Sequence, residues 1–436
     1  MLERLSLEKR SANQNCNLFN HAVSIDSNSA YIRWEQLLMP ILAINGGIPV
    51  RDTYLSYGKQ HIDSDDIAAV VETLQSPYLT CGPKVKAFEA ELCRLTGAGY
   101  ATAVSNGTAA LHIACLAAGI GPGDEVITTP ITFAATANAV LYCGGRPVFA
   151  DIDPRTYTID PTSIEAHITE RTKAVIAVDF TGQACNYSEI CAVCKKHHLL
   201  LIEDAAHSIG TVYHGTPVGS IADLTTFSFH PVKTVTAGEG GAVLAKDPAL
   251  AERVELLARH GITRAPQFLR EQGNSNWYYE QQALGFNYRL TDIQCALAIS
   301  QLSKLARFAL RRKMLVRQYD EMFRKIPAVR IQAGNEGSDT VRHLYILRLK
   351  LEQLSCGRKE IYDALQAENI GVNVHYIPVY YFPYYQELGY QRGLCPNAED
   401  YYESCLTLPL FYDMTDGDQQ DVVQAVRKII GHYLKE

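Results

Sequence analysis

A chain of 436 residues is long enough for two or three domains and a sizeable buried core. Its 47% apolar and 20% charged residues suit a soluble globular protein. Forty basic against 47 acidic residues give a net charge of −7, which disfavours a general nucleic-acid or anionic-membrane surface, and no apolar run is long enough to span a bilayer.

The first residues read differently from the rest. Residues 1–38 are polar, aperiodic and rich in Asn and Ser, and a more structured stretch opens at Met39, "MPILAINGGIPV". Residues 1–44 are therefore expected to be a disordered or extended leader without chemistry. From Gly82-Pro83 onward helix and strand signals alternate. "KVKAFEAELCRL" has helical periodicity, "YATAV" reads as a strand, and "GTAALHIACLAAG" as a helix closed by Gly119. Strand "DEVITT", helix "FAATANAVLYC", strands "RPVFA" and "KAVIAV", helix "YSEICAVCKKH", and strands "LLLIED" and "LTTFSF" follow. Such alternation predicts an α/β fold whose mostly parallel sheet is covered on both faces, with ligands at the carboxyl ends of the strands. Beyond residue 290 the pattern changes. A long helix is expected over 292–326, an edge-like strand over "RHLYILRL", a helix over about 357–368, a strand over "GVNVHYI" and a last helix over 416–434. The expected organisation is a large domain over 45–300 and a smaller C-terminal α/β domain over 301–436.

The twelve cysteines are scattered, several inside helical patterns, and read as reduced core residues of a cytoplasmic protein. Cys191 and Cys194, followed by His197 and His198, have zinc-like local spacing, but no second pair lies nearby and no metal is expected.

Three motifs sit at expected strand ends. In "SNGTAALH" a strand stops and Asn106, Gly107 and Thr108 open a helix, whose free N–H groups suit an anion such as phosphate. In "LLLIEDAAHSIG" a buried strand delivers Glu203 and Asp204, then His207. In "SFHPVKTVTAGEGG" Ser228 and Lys233 stand between a strand and a glycine-rich turn. One lysine alone is ordinarily a solvated surface group. A phosphate turn, a buried acid and a lysine together match the needs of pyridoxal 5'-phosphate: an amine for a Schiff base, an acid for the pyridine nitrogen and a phosphate cradle.

These motifs, with "TPITFAATANAV", "VFADIDP" and "LGFNYRLTDIQCALAISQL", resemble the DegT/DnrJ/EryC1/StrS sugar-nucleotide aminotransferases, pyridoxal-phosphate enzymes of the aspartate-aminotransferase fold (fold type I). The resemblance runs from "NGGIPVR" nearly to the C-terminus. It implies that Lys233 forms the Schiff base and shuttles the proton, and that Asp204 keeps the pyridine nitrogen protonated. It places His207 near the ring's phenolic oxygen, Phe133 on the ring face, Asn106, Gly107, Thr108 and Ser228 around the phosphate, and Asn287 at the phosphate of a partner subunit. The last assignment implies a homodimer with shared sites. Substrate contacts are implied for Tyr57, Tyr78, Thr80, Cys81, His375 and Tyr376. "FHPVKTVTAGEGG" and "VHYIPV" resemble most the branch serving pseudaminic acid biosynthesis, which implies L-glutamate as donor and a UDP-linked 4-keto-6-deoxy-hexose as acceptor. Siblings acting on other keto sugars, and a cofactor-binding regulator without turnover, remain alternatives. Relatives that remove a sugar hydroxyl usually carry histidine in place of the lysine, so Lys233 speaks against that branch.

Overall fold

Seven strands form the central sheet: β1 Tyr100–Val104, β2 Glu125–Thr128, β3 Arg146–Phe149, β4 Thr172–Val178, β5 Leu200–Asp204, β6 Leu224–Ser228 and β7 Gly241–Ala245, in the order β1-β7-β6-β5-β4-β2-β3. This computed structural model describes residues 41–271 and 275–435. Residues 1–40 of the expected leader lie outside the described residues. Leu42 is fully buried, and Ala43–Asn45 forms a short 3-10 turn whose first N–H donates to Glu368 Oε1 at 3.0 Å.

The strands are parallel except β7, which runs antiparallel to β1 and β6. Parallel neighbours need a helical crossover, whereas β6 and β7 are joined by the loop over 229–240, which carries no helix, so the chain turns back antiparallel. That loop holds Lys233. Apolar residues cover both faces, as a buried parallel sheet requires. Phe88, Leu92, Tyr187, Ile190 and Phe227 pack on one side, and Ile113, Val126, Ile202, Leu224 and Val243 on the other.

A three-stranded antiparallel sheet, β8 Val329–Ile331, β9 Tyr345–Leu349 and β10 Cys405–Leu408, packs with helices Leu305–Phe323, Arg358–Ala367 and Asp416–Tyr433 around Leu315, Tyr319, Leu347, Ile361 and Ile429. Three expectations need correction here. "RHLYILRL" is the central strand of this sheet, not its edge, because "CLTL" at 405–408 pairs along its other side. "GVNVHYI" forms no ladder. Its backbone groups are shared out instead, Gly371 N–H to the Leu55 carbonyl, Asn373 to Thr407 in one bridge, and the His375 carbonyl to the Tyr401 hydroxyl. The helix over 292–326 is two, Asp292–Ser303 and Leu305–Phe323. Lys304 N–H bonds the carbonyl of Gln301, three residues back, and the α-helical ladder is interrupted there. Among the described residues no helix is long and apolar enough to cross a membrane.

Candidate active site

The ends of β1, β5 and β6 deliver the three motifs to one place. Gly107 begins helix Gly107–Ala117, and Asn106 caps it by accepting from Ala109 N–H at 2.8 Å. A Cβ on Gly107 would stand 2.9 Å from Ser228 Cβ, and one on Gly241 would stand 2.4 Å from the Asn106 carbonyl. Only glycine lets these backbones close up, and the closure sets Gly107, the first residue of the helix, beside the Ser228 hydroxyl. That is an anion cradle.

Asp204, 4% exposed, ends β5. Thr136 Oγ1 donates to its Oδ2 at 2.7 Å, Thr132 and Thr136 hydroxyls stand 2.7 Å apart, and Ala206 N–H donates to Oδ1 at 3.2 Å. Burial pushes the carboxyl pKa up, while Thr136, Ala206 and the Lys233 charge pull it back. Glu203, next door, serves a different purpose. Successive strand residues point to opposite faces, and its carboxylate accepts from Thr225 Oγ1 at 2.7 Å and Gly219 N–H at 3.2 Å, inside the core. Lys233 sits in the β6–β7 loop, its N–H on the His230 carbonyl at 2.9 Å. Burial lowers its amine from 10.5 to about 8, against the opposing pull of Asp204. A substantial neutral fraction is therefore present near pH 8, where an exposed lysine would be fully charged.

His207 is 7% exposed and closes the cluster. Its Nε2 lies 3.3 Å from Tyr376 Oη, its ring packs 4.6 Å from that of His343 and 6.2 Å from that of Phe180, and its Nδ1 is buried without a partner. Burial first, then the Lys233 charge and His375, hold His207 well below 6.5. Burial likewise holds His343 well below 6.5 and His375 down to about 4. Each imidazole that stays neutral when folded but protonates when unfolded withdraws about 1.4 kcal/mol of stability per pH unit below 6.5. The unfolded chain binds more protons there, so stability falls as pH falls. Buried carboxyls with raised pKa, Asp204 among them, act with the opposite sign over the same range, so the slope is read as a difference. Between pH 7 and 5, the stability of the cofactor-free protein minus that of His343→Leu, from denaturant titrations, should fall by about 1.4 kcal/mol per pH unit below 6.5. A difference that does not change with pH would contradict the neutral-imidazole assignment of His343.

Phe133 precedes helix Ala135–Tyr142 and is 63% exposed, which excludes a core role. Its ring lies 6.3 Å from that of Tyr376. Tyr57 joins the same cleft, its ring 5.5 Å from that of His375, with neighbouring Gly58 beside Val232. His375 Nδ1 lies 2.8 Å from Thr407 Oγ1. Tyr78, Thr80, Cys81 and Asn287 gather around Arg289, whose segment bridges Val104 at the end of β1. Thr80 bridges to Thr291, Arg289 Nη1 lies 3.6 Å from Cys81 Sγ, Arg289 Nε donates to Asn287 Oδ1 at 3.0 Å, and Tyr78 lies exposed beside them. Thr136, Phe180 and His343 were not anticipated. Thr132 and Thr136 stand at i, i+4 within "TPITFAATANAV", a signal that could have been used, whereas His343 reaches the site from β9's approach with no local signal.

Residues 60–427 match the DegT/DnrJ/EryC1/StrS aminotransferase family. The chain is 43% identical to the spore coat polysaccharide biosynthesis protein SpsC of Bacillus subtilis, over 87% of this chain and 98% of that one. It is 37% identical to the UDP-4-amino-4,6-dideoxy-N-acetyl-beta-L-altrosamine transaminase of Campylobacter jejuni, over 86% and 97%. Among solved structures, Helicobacter pylori PseC, an aminotransferase involved in the biosynthesis of pseudoaminic acid, matches with TM-score 0.80 and 32% identity over 86% and 99%. Spr1654 of Streptococcus pneumoniae, solved in PLP and PMP forms, matches with TM-score 0.80 and 30% identity, over 86% of this chain and 97 to 98% of that one.

Proposed function

Because the chain belongs to the DegT/DnrJ/EryC1/StrS aminotransferase family, and is a pyridoxal-phosphate-dependent sugar aminotransferase, we propose that it moves the amino group of L-glutamate to the C4 ketone of a UDP-linked 4-keto-6-deoxy-hexose. The proposed acceptor is UDP-2-acetamido-2,6-dideoxy-β-L-arabino-hex-4-ulose, on the way to pseudaminic acid. The observation that carries the chemistry is a half-buried Lys233, its amine lowered to about 8, within the field of buried Asp204 and beside an anion cradle. The cradle, whose closure a single Cβ would block, and the unpartnered Nδ1 of His207 both fit the cofactor.

Bound pyridoxal phosphate supplies a carbonyl for the donor amine and a ring that stores the electron pair released at the donor's α-carbon. The protein does the rest. Gly107, Thr108 and Ser228 hold the phosphate, with Asn106 capping the helix that presents it. Asp204 holds a proton at the pyridine nitrogen, and Thr136 holds Asp204. Phe133 covers the ring face. Lys233 Nζ, neutral in a substantial fraction of molecules near pH 8, takes the proton from the donor's α-carbon. Tyr57, His375 and Tyr376 line the cleft where the sugar enters.

The proposed unit is a homodimer. Helix Ser64–Leu74 leaves Ile67, Val71 and Leu74 exposed at i, i+4, i+7, followed by exposed Tyr78 and Leu79, and such a stripe fits an interface. The Asn287 group would then serve the neighbouring site. Light scattering should give twice the chain mass, and a fully active monomer would reject this.

The acceptor is tested by incubating the enzyme with glutamate and a panel of nucleotide-linked keto sugars, with products identified by mass and NMR. Amination at C4 of the UDP-linked 6-deoxy sugar is expected. The higher identity to SpsC favours, as a second reading, another nucleotide-linked keto sugar. Turnover confined to such a member of the panel would replace the first.

A further inference from the structure

His207 offers two ring nitrogens, and their surroundings differ. Nε2 faces the Tyr376 hydroxyl at 3.3 Å, while Nδ1 is buried without any partner. The charged and titratable groups around the ring do not compete for it. Lys233 and His375 act on it through their charges alone, and His343 packs against it with its own Nδ1 equally unpartnered. The His343 backbone is held behind it, its main-chain N–H donating to the Thr181 carbonyl at 2.7 Å and its main-chain carbonyl accepting from Arg312 Nη1 at 3.2 Å. The Tyr376 ring stands nearly parallel to that of His207, 24° away, between the rings of Phe133 and Phe180. The burial of Tyr376, and then the Asp204 charge, raise its pKa, so it keeps its proton.

A phenol is a stronger donor than an imidazole N–H, and an imidazole's bare nitrogen is a stronger acceptor than a phenol oxygen. The tautomer follows from the bond that the other nitrogen makes. We propose that Tyr376 donates to His207 Nε2 and so fixes the proton on Nδ1, leaving one buried N–H free to donate to the bound cofactor. Tyr376, implied by resemblance to be a substrate contact, is on this reading a positioning residue that acts through His207. It rests on the cofactor assignment above for what Nδ1 meets, but not for the tautomer itself.

The test has two parts. In cofactor-free protein labelled with 15N-histidine, the His207 signal, assigned by its loss in His207→Gln, should show a protonated Nδ1 and a bare Nε2. Tyr376→Phe should mix or reverse that pattern. In the loaded enzyme, Tyr376→Phe should slow the glutamate half-reaction, followed by absorbance with no sugar present, about 10-fold or more. The same change in a His207→Gln background should cost much less, because the amide carries its own donor. A proton on Nε2 in the unaltered protein, or a Tyr376→Phe variant with the same tautomer and a defect only toward the sugar, overturns the proposal. Absence of cofactor binding altogether would overturn the proposed function and leave the tautomer to be read from the NMR.

Discussion

Lys233→Ala should lose transamination by at least about 10³-fold, while still taking up pyridoxal phosphate without a covalent bond. The two outcomes separate because two sets of residues are involved. Binding rests on the Gly107–Ser228 cradle and on Asp204, which the substitution leaves in place. Chemistry needs an amine held at a strand end, partly freed of its charge by burial, and this loop supplies one in Lys233. Lys233→Arg should fare no better, since a guanidinium stays protonated and cannot replace a neutral amine. Borohydride treatment of the loaded enzyme should fix the cofactor on Lys233, as peptide mass spectrometry would read. An adduct on another lysine, or activity within about 10-fold in Lys233→Ala, would remove this residue from the centre of the mechanism.

Much of this site could be read from the sequence because its parts are local. Asn106–Thr108, Asp204–His207 and Ser228–Lys233 each lie within a few residues of a strand end, where a continuously buried run stops and a turn begins. The resemblance to a known family then supplied their roles. What could not be read came from long-range contacts. Thr136 meets Asp204 across 68 positions, and His343 meets His207 from the other side of the chain. "RHLYILRL" read as an edge because its second partner, "CLTL", is only four residues long and follows a run of tyrosines. "GVNVHYI" has a strand's composition, yet its N–H and carbonyl groups are claimed one at a time by Leu55, Thr407 and Tyr401. Composition reports fitness for a pleated surface and does not report whether a partner strand is present.

Asp204→Asn should separate stability from activity. The carboxyl of Asp204 is buried and its pKa is raised, with desolvation the largest cause. In the cofactor-free protein a raised carboxyl is a burden at neutral pH. The folded form holds its proton to higher pH than the unfolded form, so stability declines as pH rises above the ordinary carboxylate value and through the folded one. An amide of the same shape does not titrate, and its oxygen still accepts from Thr136, so the cofactor-free Asp204→Asn protein should melt no lower than the parent at pH 7. Activity should move the other way. A neutral amide does not hold a proton on the pyridine nitrogen, and removal of one such charged partner costs about 10²- to 10³-fold. Thr136→Val should show a smaller version of the loss, about 10-fold, because Asp204 keeps its charge but loses one aligned donor. Melting curves of the cofactor-free variants and steady-state rates of the loaded ones read both effects. If Asp204→Asn unfolds the cofactor-free protein, the residue is a structural anchor. If the variant turns over within about 10-fold of the parent, the pyridine nitrogen has another partner.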